Sequence, residues 1–258
     1  MERDGYGRRE LVAGFRGLGL ETGTRVVVHS SLSSLGRVDG GAETVVNALL
    51  EAVGPAGTVA VPTFTRYGEP YDPAESPSLT GAITEALRTR PEACRSPHPT
   101  KSIAAIGPDA DVTTAHDPGN SLGPNSPLHR LLERDGTILL LGVDHTTNSA
   151  IHVGERLAGV PYRDQVTETE TRVNGTVETV EVNRVHCSRG FEAIRPLTEH
   201  AGIVSSGKIG DADAQLLEGD GLLSLVFEAL EAEPGALLCS IPDCDRCQYA
   251  RERIESER

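Results

Sequence analysis

The sequence contains no apolar stretch long enough to cross a membrane. Its longest apolar runs, such as ILLLGV at 138–143, fall far short of the roughly 20 residues that a transmembrane helix needs. The first residues, MERDGYGRREL, also lack the apolar segment of a secretory signal peptide. We therefore expect a soluble protein that works in the cytoplasm.

Cysteine is scarce and unevenly placed, with five in 258 residues. This pattern does not fit the disulfide framework of a small secreted domain. Cys244 and Cys247 form a C-x-x-C pair, and Cys187 and Cys239 are the residues that could complete a zinc site. Because a second C-x-x-C pair is lacking, we expect reduced cysteines on a terminal helix and no bound metal.

Lysine is nearly absent, since Lys101 and Lys208 are the two in the chain. Acidic residues number 38 against 24 basic ones, which gives a net charge of −14. Because nucleic-acid binding relies on cationic side chains that neutralise phosphates, we expect no nucleic-acid partner. The acidity has two explanations: a solvated surface suited to high salt, or a field that attracts a polycationic substrate. The spread of the acids along the chain favours the first.

The apolar pattern indicates an α/β fold. RVVVH at 25–29 and TVAVPTF at 58–64 are predicted strands, and AETVVNALLEAV at 42–53 has its apolar residues on one helical face. A strand, helix, strand unit makes its two strands parallel neighbours. The loop HSSLSSLG at 29–36 would then lie at the carboxyl edge of the sheet, where open α/β sheets bind ligands.

The rest of the chain continues this pattern as one domain over residues 1–258, with 235–258 as a cysteine-containing appendage whose charged end has a disordered composition. We predict a mixed β-sheet flanked by helices, from which a β-hairpin around Asn174 and Gly175 protrudes. The other predicted strands cover 102–106 and 137–143, the hairpin covers 166–185, and the helices cover 8–17, 81–90, 149–157, 191–200 and 211–230.

Histidine and carboxylate side chains follow the strongest predicted strand. His152 and Glu155 are three residues apart on a helix and share a face, and Asp144 ends the strand. A carboxylate bonded to one imidazole nitrogen raises the basicity of the other, as a general base requires. Either Asp144 or Glu155 could serve. The alternative is a core histidine beside a solvated glutamate.

Two further segments carry polar side chains next to predicted strands. In RSPHPTKS at 95–102 the prolines hold an extended backbone, so alternate side chains could bind a polar ligand or simply stiffen a surface turn. The hydroxyl groups and amides of 29–36 suit a phosphate or a developing oxyanion, or a helix cap. By contrast, GNSLG at 119–123 matches a nucleophile elbow only by letters, because prolines flank it, and we expect a loop.

Taken together, these segments resemble the aminoglycoside 3-N-acetyltransferase family over about residues 8–230. The combination is specific although each segment alone is weak. The resemblance implies a mixed α/β fold, distinct from the usual small acetyltransferase fold, that binds acetyl-coenzyme A and acetylates an amine by direct transfer. The segments are VVVHSSLSSLG, GGAETVVNALLEAVGPAGTVAVPTFT, GAITEALRTRPEACRSPHPTKSIAAIGPDA, NSPLHRLLERDGTILLLGVDHTTNSAIHVGE and HCSRGFEAI.

The resemblance also implies the site. His152 of the I-H-x-x-E motif would be the general base, oriented by Asp144 or Glu155, and loop amides near Ser31–Ser33 would stabilise the oxyanion. The coenzyme would lie along the H-S-S-L loop and the R-S-x-H-P segment. The implied coenzyme-binding residues are His29, Ser30, Ser31, Leu32, Ser33, Ser34, Ser96, His98, Thr100 and Ser102.

The chain departs from the family at two places. Lys101 replaces the second histidine common in H-P-T-H-S, and the end of the chain, PDCDRCQYARERIESER, is not part of the family pattern. The amine acceptor therefore need not be an antibiotic. Acidic and aromatic residues of the 66–76 segment could receive a cationic substrate, namely Tyr67, Glu69 and Asp72.

Two other functions stay open on the sequence. A coenzyme A-binding protein without transferase activity would keep the first two motifs. A metal-dependent hydrolase would use Asp144, His145 and His152. The second is disfavoured because adjacent residues on an extended strand point apart.

Overall fold

The fold is organised around a mixed β-sheet. The computed structural model describes residues 5–257. The strands of these residues are β1 (Arg25–Ser30), β2 (Thr58–Pro62), β3 (Cys94–Arg95), β4 (Ile103–Ile106), β5 (Thr137–Leu141), β6 (Val166–Val173), β7 (Thr176–Asn183), β8 (Val204–Ile209) and β9 (Ala212–Glu218). Seven of them form the sheet, in the order β3-β4-β2-β1-β5-β9-β8.

Strand β1 lies at the centre of the sheet and pairs in parallel with both β2 and β5. Val27 stands opposite Ala60 on one side and Ile138 on the other. All other neighbours in the sheet are antiparallel. The predicted parallel pairing of the first two strands is confirmed.

Helices cover both faces of the sheet, as the sequence predicts. Because side chains alternate along a strand, Val27 belongs to one core and Val26 and Val28 to the other. Helices α1, α2 and α3 pack against the second core, and α4, α5, α7 and α8 against the first. Their bounds are α1 (Arg8–Leu18), α2 (Gly41–Val53), α3 (Ala82–Arg88), α4 (Pro127–Leu132), α5 (Ala150–Leu157), α6 (Arg195–Ala201), α7 (Gly219–Ala232) and α8 (Asp245–Ser256).

The predicted hairpin is confirmed as β6 and β7, which form a separate two-stranded sheet. Asn174 and Gly175 make its turn with φ of +49° and +82°, the left-handed backbone that such a turn requires. The hairpin is attached to the body through Tyr71, whose N–H donates to the main-chain oxygen of Glu170 at 3.0 Å. The GNSLG segment is a loop, as expected.

The predicted helix over 211–230 is wrong in its first eight residues. Residues Val204–Ile209 and Ala212–Glu218 form the antiparallel pair β8 and β9, and the helix starts at Gly219. Gly210, with φ +61°, and Asp211 make the two-residue turn between them. A Gly-Asp pair between short strands is a hairpin signal, and the segment AQLL at 214–217 fits a strand in the sheet as well as a helix.

The charged end of the chain is also ordered, contrary to the expectation from its composition. Helix α8 buries Ala250 and Ile254 in the core that contains α5 and α7. Tyr249 adds a hydrogen bond from its hydroxyl to Asp164 Oδ1 at 2.7 Å. Within residues 5–257 no helix combines the length and the apolar character needed to span a bilayer.

Candidate active site

A cleft of about 660 Å³ opens where the parallel strands β1, β2 and β5 end. Most of its lining residues come from the ends of these strands, from the start of α5, and from two segments outside the sheet, 185–189 and 243–246. His29 and Ser30 are contributed by β1, and Phe64 follows β2. The sequence predicts ligand binding at this edge of the sheet, and the cleft lies there.

His152 lines this cleft from the first turns of α5. Strand β5 is followed by Gly142, whose φ of +68° turns the chain. The start of α5 is stabilised by Asn148, whose Oδ1 accepts a hydrogen bond from the Ala150 N–H at 3.2 Å. Asparagine suits this place because its side-chain oxygen satisfies an N–H that has no partner within the helix. The turn and this hydrogen bond together place His152 at the cleft.

Glu155 holds the imidazole. Nδ1 of His152 lies 2.7 Å from Glu155 Oε2, and the same oxygen accepts a hydrogen bond from Arg163 Nη1 at 2.7 Å. The Tyr162 hydroxyl donates to Glu155 Oε1 at 3.4 Å. Glu155 and Arg163 are each 1% exposed. When Nδ1–H donates to the carboxylate, Nε2 keeps a free lone pair and can accept a proton.

The electrostatics fix the charge states of this pair. Burial lowers the pKa of His152 below its usual value, and Glu155 acts in the opposite direction. Burial favours the protonated form of Glu155, but the hydrogen bond from His152 and the charge of Arg163 outweigh it and hold the pKa of Glu155 below its ordinary value. The pair is therefore a neutral imidazole beside an ionised carboxylate near neutral pH. A general base requires this state.

Three other basic groups of the cleft, besides its arginines, carry less charge than their number indicates. Burial lowers the pKa of His29 and of His186 to about 4. Burial, with Arg246 and Arg163 nearby, lowers the pKa of Lys101 to about 8. The Lys101 ammonium lies 4.4 Å from the centre of the Phe64 ring. Two of the three groups are neutral at pH 7, so the cleft is less positive than a count of its bases would indicate.

The C-terminal segment supplies cleft residues that the sequence reasoning missed. Asp243, Asp245 and Arg246 are exposed and line the cleft, together with Ser188 and Arg189 from the segment after β7. These residues lie far from His152 in sequence, and no local pattern marks them as partners. The one available signal was the C-x-x-C pair beside them.

Comparison with known proteins identifies the family. The aminoglycoside 3-N-acetyltransferase family model matches residues 27–231. The chain is 33% identical over 253 residues to aminoglycoside N(3)-acetyltransferase IX of Micromonospora chalcea, an alignment that covers 84% of this chain and 90% of that protein. The chain belongs to the aminoglycoside 3-N-acetyltransferase family. It is therefore an acyltransferase, and its family uses acetyl-coenzyme A as the acetyl donor.

The fold is also that of the family. The crystal structure of the aminoglycoside acetyltransferase AAC(3)-IVa as apoenzyme matches with a TM-score of 0.90 and 29% identity, covering 98% of this chain and 99% of that one. The binary complex of AAC-IIIb with CoASH matches with a TM-score of 0.83 and 26% identity, covering 89% and 97%. The predicted mixed α/β fold is confirmed.

The RSPHPTKS segment does not present its predicted coenzyme-binding side chains to the cleft. Ser102 Oγ donates to the main-chain oxygen of Thr63 at 2.6 Å, and Nδ1 of His98 accepts the Lys101 N–H at 3.0 Å. These groups serve the packing of the segment, and within 95–102 it is Lys101 that reaches the cleft. The buried residues are Ser96, His98, Thr100 and Ser102, each 0% exposed.

The HSSLSSLG loop divides between the cleft and the sheet. His29 and Ser30 line the cleft, whereas Leu32–Leu35 form a 3₁₀ turn. The Ser31 N–H donates to the main-chain oxygen of Leu141 at 2.9 Å, and Ser34 Oγ donates to that of Gly142 at 3.0 Å. The Ser31 amide is thus used to extend the β1–β5 pairing and is not free for an oxyanion.

The predicted substrate residues Tyr67, Glu69 and Asp72 do not line the cleft. Their loop is held elsewhere, because the Tyr71 hydroxyl donates to the main-chain oxygen of Ser96 at 2.7 Å and the Tyr71 main chain joins the hairpin. Asp72 accepts a hydrogen bond from the Ala74 N–H within the same loop. The acidic groups at the cleft belong to the C-terminal segment instead.

Asp144 is not the carboxylate bonded to His152. Its Oδ1 accepts the Thr146 N–H at 2.9 Å and caps the 3₁₀ turn His145–Thr147. Among residues 5–257 the side chains close enough to share a metal ion are four cysteines, and Asp144, His145 and His152 do not form such a group. The geometry thus gives no support to the hydrolase alternative.

Proposed function

We propose that the cleft transfers an acetyl group from acetyl-coenzyme A to an amino group of a polycationic acceptor of the aminoglycoside class, with His152 as general base. The observation that carries this proposal is the buried Arg163–Glu155–His152 set at the cleft. In this set the imidazole of His152 is neutral and is held in one orientation. Its Nδ1 is hydrogen-bonded to Glu155, and its Nε2 can accept a proton. Because the acetyl donor is an intracellular metabolite, we place this activity in the cytoplasm.

The residues define one direct transfer step. The neutral amine attacks the thioester carbonyl carbon, and the carbon–nitrogen bond forms as Nε2 of His152 takes the amine proton. The carbon–sulfur bond then breaks, and the departing sulfur takes that proton to leave as coenzyme A thiol. No enzyme nucleophile is required. Glu155 acts as a positioning residue, since its charge stabilises the imidazolium that forms.

The polar lining of the cleft suits both substrates. Nε2 of His29 and Nε2 of His186 are buried without a protein hydrogen-bond partner, so a bound polar molecule could satisfy them. With the Ser31 amide used in the sheet, the amides of Leu32 and Ser33 are the ones left within 31–33, and neither residue lines the cleft. Asp243 and Asp245 are placed to attract the ammonium groups of the acceptor.

Solved relatives support the same division of roles. A histidine-to-alanine mutant of AAC(3)-IVa was crystallised with a gentamicin and with apramycin. A histidine is thus the residue removed in complexes of that relative with acceptors. This supports His152 as the base and an aminoglycoside as the acceptor class.

The experiment is a thiol-release assay with acetyl-coenzyme A and three groups of amines: aminoglycosides, linear polyamines and simple monoamines. We expect turnover with aminoglycosides and little with monoamines, because a monoamine carries too little charge to engage the acidic wall of the cleft, formed by Asp243 and Asp245. Release that is confined to linear polyamines would contradict the acceptor class. Coenzyme A binding without thiol release for any amine would overturn the transferase proposal.

A further inference from the structure

Four of the five cysteines converge beside the cleft. The sulfur atoms of Cys187, Cys239, Cys244 and Cys247 all lie within 4.8 Å of one another. Sγ of Cys239 lies 3.4 Å from that of Cys247 and 4.0 Å from that of Cys187. All four residues are buried, whereas Cys94 is exposed and lies apart.

We propose that these four sulfurs bind one structural zinc ion that fixes the C-terminal segment as a wall of the cleft. A tetrahedral site with zinc–sulfur bonds of about 2.3 Å places its sulfur atoms about 3.8 Å apart. The distances given above lie on either side of this value. A set of four protein ligands leaves no open position, which is typical of a structural site and not of a catalytic one.

The backbone around the C-x-x-C pair has the form of a preformed ligand loop. The Cys244 N–H donates to the main-chain oxygen of Ile241 at 3.3 Å, and the Gln248 N–H donates to that of Cys244 at 2.9 Å. Gln248 Nε2 closes the turn on the main-chain oxygen of Pro242 at 2.8 Å. Cys244 thus stands directly before α8 and Cys247 in its first turn. Both sulfurs are positioned by secondary structure.

The charge around the cluster fits a metal thiolate. Four thiolates and one Zn²⁺ ion carry a net charge of −2, and binding releases the four thiol protons to solvent. Arg251 Nη2 donates to the main-chain oxygen of Cys239 at 2.6 Å, and Arg246 lies within the C-x-x-C loop. Cationic side chains therefore accompany the ligands. The spacing of the cysteines in the sequence favours reduced thiols, but the closeness of the four sulfur atoms in the structure favours bound zinc.

The cluster joins two segments that are far apart in sequence, with α6, β8, β9 and α7 between them in the chain. Cys187 follows β7, and the other three cysteines belong to the C-terminal segment. Both segments line the cleft, at 185–189 and at 243–246. One ion would hold them together and fix Asp243 and Asp245 at the acceptor side. This consequence rests on the proposed function, whereas the metal site itself does not.

The first test is metal content of the full-length protein, purified under reducing conditions without chelator. We expect elemental mass spectrometry to find about one zinc ion per chain. Cys94 alone should react quickly with a thiol reagent, and the other four should react only as the zinc is released. Replacement of zinc by cobalt should give the absorption of a tetrahedral tetrathiolate complex, which reports the ligands in the folded protein.

The second test uses matched variants. Cys247→Ser should lose the bound zinc, and Cys94→Ser should keep it and its acetyl transfer. Two results would overturn the site. The first is a zinc-free protein whose five thiols all react quickly. The second is a protein with a Cys239–Cys247 disulfide, seen as the loss of two hydrogen masses, that takes up no zinc or cobalt after reduction. Full zinc content in Cys247→Ser would do so as well.

A kinetic measurement tests separately whether the zinc shapes the cleft. If it fixes the acidic wall, Cys247→Ser should raise KM for an aminoglycoside more than KM for acetyl-coenzyme A. Equal changes in the two KM values would contradict the role of the zinc in fixing the acidic wall. The metal content would still show whether the zinc site exists. A wild-type protein that holds zinc but transfers acetyl to no amine would contradict the proposed function and leave the metal site standing.

Discussion

At the residue scale, the chemistry depends on a buried ion pair that the sequence shows only in part. The spacing of His152 and Glu155 predicts that they share a helical face, and they are bonded. Arg163 could not be predicted, because it reaches Glu155 from a separate 3₁₀ turn, Pro161–Arg163. The pattern likewise could not choose between Asp144 and Glu155. Only the path of the chain after β5 separates them.

Replacing Glu155 by Gln should slow catalysis and move its pH dependence. Because the carboxylate raises the pKa of His152 against the effect of burial, its loss should lower that pKa further. The rate falls when the base is protonated, so the acidic limb of kcat/KM should shift to lower pH, while kcat drops by about 10²-fold or more. Glu199→Gln, at an exposed position, is the matched control.

A structural side effect must be separated in this test, because Glu155→Gln leaves Arg163 buried without its partner, at a cost of about 3–5 kcal/mol. The double variant Glu155→Gln with Arg163→Met removes the unpaired charge. The double variant should recover the free energy of unfolding measured in urea, but it should not recover kcat. Recovery of kcat in the double variant, or an acidic limb at its original pH in the single one, would contradict the role of Glu155.

At the element scale, periodicity predicted most strands and helices but failed where two signals compete. The β1, α2, β2 unit has unambiguous patterns and was placed correctly. In 204–218 the short apolar runs fit either a strand or a helix, and the Gly210 turn decides between them. Burial in RSPHPTKS could not be predicted either, because the chain turns at 99–101 instead of staying extended, and the pattern does not tell which side chains face the core.

The contact between α5 and α7 gives a test at this scale. A Cβ on Gly154 would collide with the Val226 side chain, so Gly154→Ala should lower the free energy of unfolding by about 1–3 kcal/mol. A methyl group on Gly17 of α1 would have no neighbour within 4 Å, and Gly17→Ala should raise the free energy of unfolding by up to about 1 kcal/mol. Urea unfolding measures both, and equal effects would contradict the packing described.

At the scale of the whole molecule, the net charge of −14 is a feature that fold and family leave unexplained. Individual surface ion pairs contribute little, so the excess of acids should act mainly as mutual repulsion across the folded surface. Screening lengths fall from about 10 Å at 0.1 M salt to about 3 Å at 1 M. We propose that an acidic surface of this kind, with much arginine and little lysine, is suited to high salt.

We therefore expect the free energy of unfolding to rise between low and molar potassium chloride. Chloride is chosen because sulfate would strengthen apolar burial by itself and obscure the charge effect. Thermal unfolding at several salt concentrations measures the change. A stability that stays level or falls over this range would remove the high-salt interpretation and leave attraction of a polycationic acceptor as the reason for the acidity.

The central claim is that His152 is the base for acetyl transfer in this cleft. The most direct test compares His152→Ala with the wild type by thiol release at saturating aminoglycoside and acetyl-coenzyme A, alongside coenzyme A binding by calorimetry. We predict that kcat falls by about 10²- to 10⁴-fold while coenzyme A binding stays nearly unchanged. Near-normal turnover in the variant would contradict it.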